Sequence, residues 1–187
     1  MGNDALIETL IHSSQIYKGQ LFNLRKDTVR LPNGRLAYRD VVEHHGAVAI
    51  IPVIDEKIIL IRQFRQAAGR ILYELPAGTL MEGETLDACA ARELKEETGY
   101  LAGTLRKLFN CYLAPGYSTE IIHFYLAADL EQIEHKTEPD EFIEIFTVTM
   151  NDALHMVVSN TIRDAKTICG LLFLEQLHSK KPVTKKP

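Results

Sequence analysis

The chain has 187 residues, 46% hydrophobic and 25% charged, which is the composition of a soluble globular protein long enough for one sizeable core and a small appendage. A formal net charge of -4 speaks against a general nucleic-acid binder, although a local basic patch or bound metal ions can still hold a small anion. There is no long apolar span, no basic-then-apolar leader and no myristoylation pattern, and Cys89, Cys111 and Cys169 are too widely spaced for a disulfide framework or zinc site, so a cytoplasmic protein with reduced, mostly buried cysteines is expected.

The first elements are strands. "LFNLRKDTVRL" and "RLAYRDVVEH" flank Pro32, Asn33 and Gly34, and Asn-Gly between alternating runs is a hairpin signal. "AVAIIPVI" and "KIILIRQF" flank Asp55 and Glu56 as a second, more apolar hairpin, expected to be buried on both faces. A helix is predicted over residues 86–98, with Thr85 as N-cap, Asp87 in the first turn and Gly99 just past the end. Three more strands follow in "TLRKLFNCYL", "EIIHFYLAA" and "FIEIFTVTM". Two helices close the chain: Asn151 can cap "DALHMVV", and Asn160 or Thr161 can cap "IRDAKTICGLLFLEQLH". The basic "KKPVTKKP" reads as a solvated tail. Residues 1–44 form a separable, more polar strand unit, and residues 45–187 carry the remaining pattern of a mixed α+β domain.

The helix over residues 86–98 raises a physical question. At about 100° per residue, Glu93, Glu96 and Glu97 share an arc of roughly 100°, beside a mostly apolar sector of Ala90, Ala91 and Leu94. Glu93 and Glu97 repel at i,i+4, and carboxylates in the last turn oppose the helix dipole at about 0.3–1 kcal/mol each. A solvated acidic face, partly relieved by Arg92 and Lys95, would explain the pattern. So would a cluster of hard oxygen ligands whose repulsion is offset by divalent cations, most naturally Mg²⁺. Charge pattern alone leaves both readings open.

The spacing goes further. Gly78, five residues, Glu84, seven residues, then Arg92-Glu93-Leu94, one residue, Glu96-Glu97, one residue and Gly99 resembles the signature box of the Nudix hydrolases. Tyr100 departs from it, standing where that family usually has an aliphatic residue. The resemblance implies an α/β/α sandwich with a mixed sheet, preceded here by an antiparallel β unit. It also implies a metal-holding loop-helix-loop that cleaves a nucleoside diphosphate linked to another moiety. Pro115, sixteen positions after Gly99 in "APGYSTE", is alone just a turn. With "RQFR", "YELPAG" and "YRDVVEHHGAVAII" it resembles the ADP-ribose pyrophosphatase branch, and similarity to that branch runs from about residue 15 to residue 175.

By that resemblance Glu93 and Glu97 are metal ligands together with the backbone carbonyl of Ala77, and Glu96 is a third ligand or acts through water. The implied cofactor is Mg²⁺, with Mn²⁺ as a substitute. Arg92 and Glu84 resemble the pair that ties loop to helix and orients the carboxylates. Gly78 and Gly83 are expected to serve turns. A general base is implied on the loop "EQIEHKTEPDEF", where alignment on "EFIEI" points to Glu141 and Pro139 leaves Glu138 open. Arg65 resembles a phosphate-contacting arginine, whose forked guanidinium suits a diphosphate. Glu74 resembles a residue that contacts the terminal sugar or orients an arginine. Arg39 and Asp40 match positions that reach the nucleotide from the N-terminal unit, often that of a partner subunit; a surface pair on an edge strand is the other reading. His44, His45 and His123 lack metal-spacing partners. The expected protein is thus a homodimer acting on a nucleotide sugar, with no nucleic acid or membrane partner. Its rivals are a nucleoside triphosphate pyrophosphohydrolase and a non-catalytic nucleotide-sugar sensor, against which the complete set of box glutamates argues.

Overall fold

Ten β-strands and three α-helices form among residues 3–133 and 142–179, the residues described in the computed structural model. They fall into two compact units, Met1–Gly46 with Tyr112–Ile121, and Ala47–Cys111 with Ile122–Pro187.

The first unit is an antiparallel sheet in the order β1 (Thr9–Lys18), β2 (Phe22–Arg30), β3 (Leu36–His44). The Asn-Gly turn forms where predicted: Gly34 takes φ 85°, and the Leu31 N–H donates to the Arg35 carbonyl at 2.8 Å. Glycine is suited to that left-handed backbone. The strand β1 was not among the predicted elements. Residues 112–121 join this unit through Val42, whose N–H donates to the Tyr117 carbonyl at 2.7 Å and whose carbonyl accepts from the Thr119 N–H at 3.0 Å.

In the second unit, β4 (Ala47–Ile54) and β5 (Lys57–Arg65) turn at Asp55 and Glu56, whose φ values of 47° and 60° give the local twist that tight hairpins favour. The two strands pair only at Val53 with Ile58 and Ile54 with Lys57. Beyond that point they splay. There β4 takes β7 (Ala77–Thr79) on one side and runs parallel to β9 (Ile121–Gln132) on the other, while β5 takes β6 (Arg70–Glu74) and β10 (Ile143–Thr149). The strand β8 (Tyr100–Tyr112) lies outside β9.

Alternation along β4 assigns the layers. Val48 and Ile50 pack with Cys89, Ala90 and Leu94 of α1 (Leu86–Thr98), and Ile51 packs with Ala153 of α2 (Met150–Val158) and Leu171 and Leu174 of α3 (Ala165–Ser179). Helices therefore cover both faces of a mixed sheet, the α+β sandwich that was expected. Val48, Ala49, Ile50 and Ile51 are fully buried, as continuous apolar strands require.

Three expectations need correction. The cap of α2 is Thr149, whose hydroxyl accepts from the Asp152 N–H at 3.1 Å, and not Asn151. The helix α3 starts at Ala165 after Asp164, whose carboxylate accepts from the Thr167 N–H at 2.9 Å. Asn160 and Thr161 instead end α2: Asn160 adopts φ 59°, and the N–H groups of Thr161 and Ile162 both donate to the Met156 carbonyl. Of the cysteines only Cys89 is buried, since Cys111 is half-buried and Cys169 exposed. Among the described residues no helix is long and apolar enough to cross a membrane.

Candidate active site

The site begins with the boundaries of α1. The Thr85 hydroxyl accepts from the Ala88 N–H at 3.2 Å, and Gly99 closes the helix with φ 70°. Between these caps the acidic face turns toward β7. The Glu97 carboxylate accepts from the Ala77 N–H at 2.8 Å, and Glu97 is 4% exposed. Glu93, 9% exposed, fills the space beside Gly78, where an added Cβ would overlap its carboxylate. Gly78 thus lies in a strand and serves by its missing side chain. Only Gly83, with φ 77°, has the left-handed turn geometry expected of both glycines.

Arg92 ties this face together. Its Nε and Nη2 donate to the two Glu84 oxygens at 2.8 and 3.0 Å, and its Nη1 donates to Glu93 at 2.7 Å and Glu96 at 2.9 Å. Nη2 also reaches the Thr79 carbonyl at 3.3 Å. The loop before the helix is therefore anchored to the helix by a forked ion pair. Arg92's hydrogen bonds outweigh burial and hold the Glu84 carboxyl down at about 2, while Glu84 in turn raises Arg92. Burial pushes the neighbouring Cys89 thiol up to about 12, which leaves it inert.

A second cluster stands where β5 and β6 meet α3. Arg65 donates through Nε and Nη2 to both oxygens of Glu74, at 2.8 and 2.9 Å. Glu74 is 1% exposed and also pairs with Lys166, which reaches Asp164 at 3.1 Å. Burial alone would raise the Glu74 carboxyl, but Arg65 and Lys166 together bring it below the usual carboxylate range. Glu74 in turn raises Arg65 against the opposing effect of burial. Lys166, Asp164 and Thr167 were missed in the sequence. The available signal was a lysine in the first turn of an apolar helix, where the dipole disfavours a cation unless carboxylates are near.

The remaining expected residues lie elsewhere. Arg39 and Asp40 are successive residues of the edge strand β3 and point to opposite faces, and Arg39 is bound to Glu8, with Nε at 3.1 Å from the carboxylate. Pro115 is exposed in a turn closed by the Tyr117 N–H on the Ala114 carbonyl at 3.1 Å. His44 accepts from the Gly46 N–H through Nδ1 at 3.1 Å, and the buried Nδ1 of His123 has no partner among the described residues. Glu138 and Glu141 lie outside the described residues.

The fit to a metal is chemical. Carboxylates from Glu93, Glu96 and Glu97 are hard oxygen donors on one helical face, two of them nearly buried, beside a strand kept free of a side chain at Gly78. Such a set suits a hard divalent cation rather than a soft one. Among the described residues no group of three or more His, Cys, Asp or Glu is gathered closely enough to hold an ion. Arg92 draws Glu93 and Glu96, and the Ala77 amide holds Glu97.

Comparison with known proteins places the chain among its relatives. Residues 43–169 match the NUDIX domain, and residues 8–42 match the nucleoside diphosphate sugar hydrolase N-terminal domain. The ADP-ribose pyrophosphatase of Bacillus subtilis (strain 168) is 44% identical over 91% of this chain and 94% of its own. The methanol dehydrogenase activator of Bacillus methanolicus is 37% identical over 90% of this chain and 92% of its own. A crystal structure of an ADP compounds hydrolase superposes with a TM-score of 0.82 over 92% of this chain and 94% of its own; at 21% identity the likeness is one of fold.

Proposed function

From the premise that this chain belongs to the NUDIX family, whose members generally use a divalent metal, we propose that it is a Mg²⁺-dependent hydrolase of ADP-ribose or a related nucleoside diphosphate sugar. Its products are a nucleoside monophosphate and a sugar phosphate, and Mn²⁺ can replace Mg²⁺. The observation that carries this reading is the buried acidic face of α1, turned onto Ala77 and Gly78. The choice of nucleotide sugars over triphosphates rests on the 44% identity to an ADP-ribose pyrophosphatase and on the match of residues 8–42.

Glu93 and Glu97, with Glu96 and the Ala77 carbonyl, would hold the metal. When bound there, a divalent ion supplies charge neutralisation at the diphosphate and a more acidic water. Arg92 and Glu84 fix the loop against the helix, so that the carboxylates keep their orientation. Arg65, with Nε and Nη2 spent on Glu74, keeps the rest of its guanidinium for a phosphate oxygen. Arg39, Asp40 and Pro115 contribute to nucleotide-sugar recognition. A carboxylate oxygen of Glu141, or of Glu138 in its place, takes the proton of the attacking water.

Incubating the protein with Mg²⁺ and a panel of ADP-ribose, other nucleotide sugars and nucleoside triphosphates tests the reading. Turnover of a nucleotide sugar to monophosphate and sugar phosphate is expected. Preferential cleavage of triphosphates, or binding without turnover, would overturn it. Steady-state kinetics then identify the base. Glu141→Gln should lower kcat by about 10²- to 10⁴-fold with KM nearly unchanged, because proton transfer belongs to the transition state. Glu138→Gln should be mild, and the reverse ranking would assign the proton to Glu138.

A further inference from the structure

We infer that Lys166 is a positioning residue for Arg65, acting through the Glu74 carboxylate that lies between them. The inference rests on the reading of Arg65 as the diphosphate-binding cation.

The geometry is that of a relay with one shared anion. Glu74 Oε1 accepts from Arg65 Nε, while Oε2 accepts from both Arg65 Nη2 and Lys166 Nζ. Glu74 has no rotational slack, being 1% exposed and gripped on both oxygens. Lys166 is itself 9% exposed and is also paired with Asp164, at 3.1 Å. Asp164 is fixed in turn: it accepts from the Thr167 N–H at 2.9 Å and from the Thr167 hydroxyl at 2.6 Å, and that hydroxyl accepts from the Leu75 N–H at 2.8 Å. The first turn of α3 thereby reads the end of β6 directly. Two cations and two carboxylates balance, which is how charges persist in a site this closed.

Removing Lys166 alters the balance without touching Arg65. Glu74 and Asp164 then face one cation, and the Glu74 carboxylate can rotate or draw water inward. A guanidinium held by both oxygens of one carboxylate takes its direction from that carboxylate's plane. Arg65 is 40% exposed at its side chain, so the two hydrogen bonds to Glu74 are what hold its rotamer among the described residues.

The test pairs a substrate-free measurement with kinetics. In ¹H–¹⁵N spectra of the arginine side chains, Arg65→Lys identifies the Arg65 Nε–H signal, expected in the wild type as a slowly exchanging resonance. Lys166→Met should shift that signal and speed its exchange. With ADP-ribose and Mg²⁺, Lys166→Met should raise KM about tenfold while kcat stays within about twofold, the pattern of lost uniform binding. In an Arg65→Ala background the same substitution should change KM by less than about twofold. If Lys166→Met does not fold, Lys166→Met with Asp164→Asn restores one cation to one carboxylate and is read in the same way. An unchanged Arg65 resonance, or a Lys166 effect that persists in full without Arg65, would overturn the inference. A wild type that does not turn over any nucleotide sugar would overturn the substrate reading alone, since the resonance needs no substrate.

Discussion

At the scale of single residues, Arg92 and Glu84 make a measurable claim about acid stability. Glu84 titrates at about 2 in the folded chain against an ordinary 4.5, chiefly because of its hydrogen bonds from Arg92. A carboxyl lowered by folding contributes stability that is complete above the unfolded value and lost as pH falls toward the folded one. The urea midpoint of the wild type should therefore exceed that of Glu84→Gln near neutral pH, and the gap should close between pH 4.5 and about 2. A gap that is constant across that window would remove the ion pair as its cause. Glu97 makes a claim about chemistry. If Glu97 is a metal ligand as proposed, Glu97→Gln should lower turnover by about 10²-fold or more while circular dichroism stays that of the wild type, because a lost ligand oxygen costs metal binding and not packing. Full activity in that variant would sink the metal assignment. The acidic residues were legible because helical spacing displays them and the box fixes their neighbours. Lys166 was not, because its partner Glu74 is 92 positions away and only the folded sheet brings them together.

At the scale of elements, legibility followed local chemistry. The bounds of α1 could be read because Thr85 and Gly99 are caps whose function depends on adjacent backbone alone. The strands β6 and β7 could not, for five and three residues carry too little periodicity, and their pairing is supplied by β5 and β4. In β1 the register slips between Leu10 and His12 and again between Gln15 and Tyr17, which breaks the alternation that would mark a strand. The caps of α2 and α3 were misplaced because more than one residue of the Asn, Asp and Thr type stands near each start, and sequence cannot say which one has extended backbone. This gives a test of capping. Thr149→Ala should destabilise the protein by about 1 kcal/mol, whereas Asn151→Ala should stay within about 0.5 kcal/mol, as read by thermal or urea unfolding. Equal losses would mean that the Thr149 hydroxyl does not carry the start of α2.

At the scale of the whole molecule, the first unit poses a problem of burial. Among its described residues Val29 is the only buried apolar side chain, while Leu10, Ile16, Tyr17, Leu36 and Tyr38 are all more than half exposed. A three-stranded sheet of this size needs a packed face to persist in water. Polar contacts such as the Ser13 hydroxyl on Asp27 and Arg25 on Asp27 at 3.0 Å fix its register but bury little. We propose that a second copy of the chain covers the exposed residues, making a homodimer, and that Arg39 and Asp40 of one subunit complete the site carried on α1 of the other. Closed two-fold pairing makes this testable by complementation. Arg39→Ala and Glu97→Gln homodimers should each be nearly inactive. When the two are unfolded together and refolded as a mixture, half of the dimers are mixed, and each mixed dimer has one site with both wild-type contributions. About a quarter of wild-type activity should then return. Sites built within single chains would return none, since every chain carries one lesion. Light scattering at assay concentration supplies the independent arm: an active monomer would exclude the dimer whatever the mixture does.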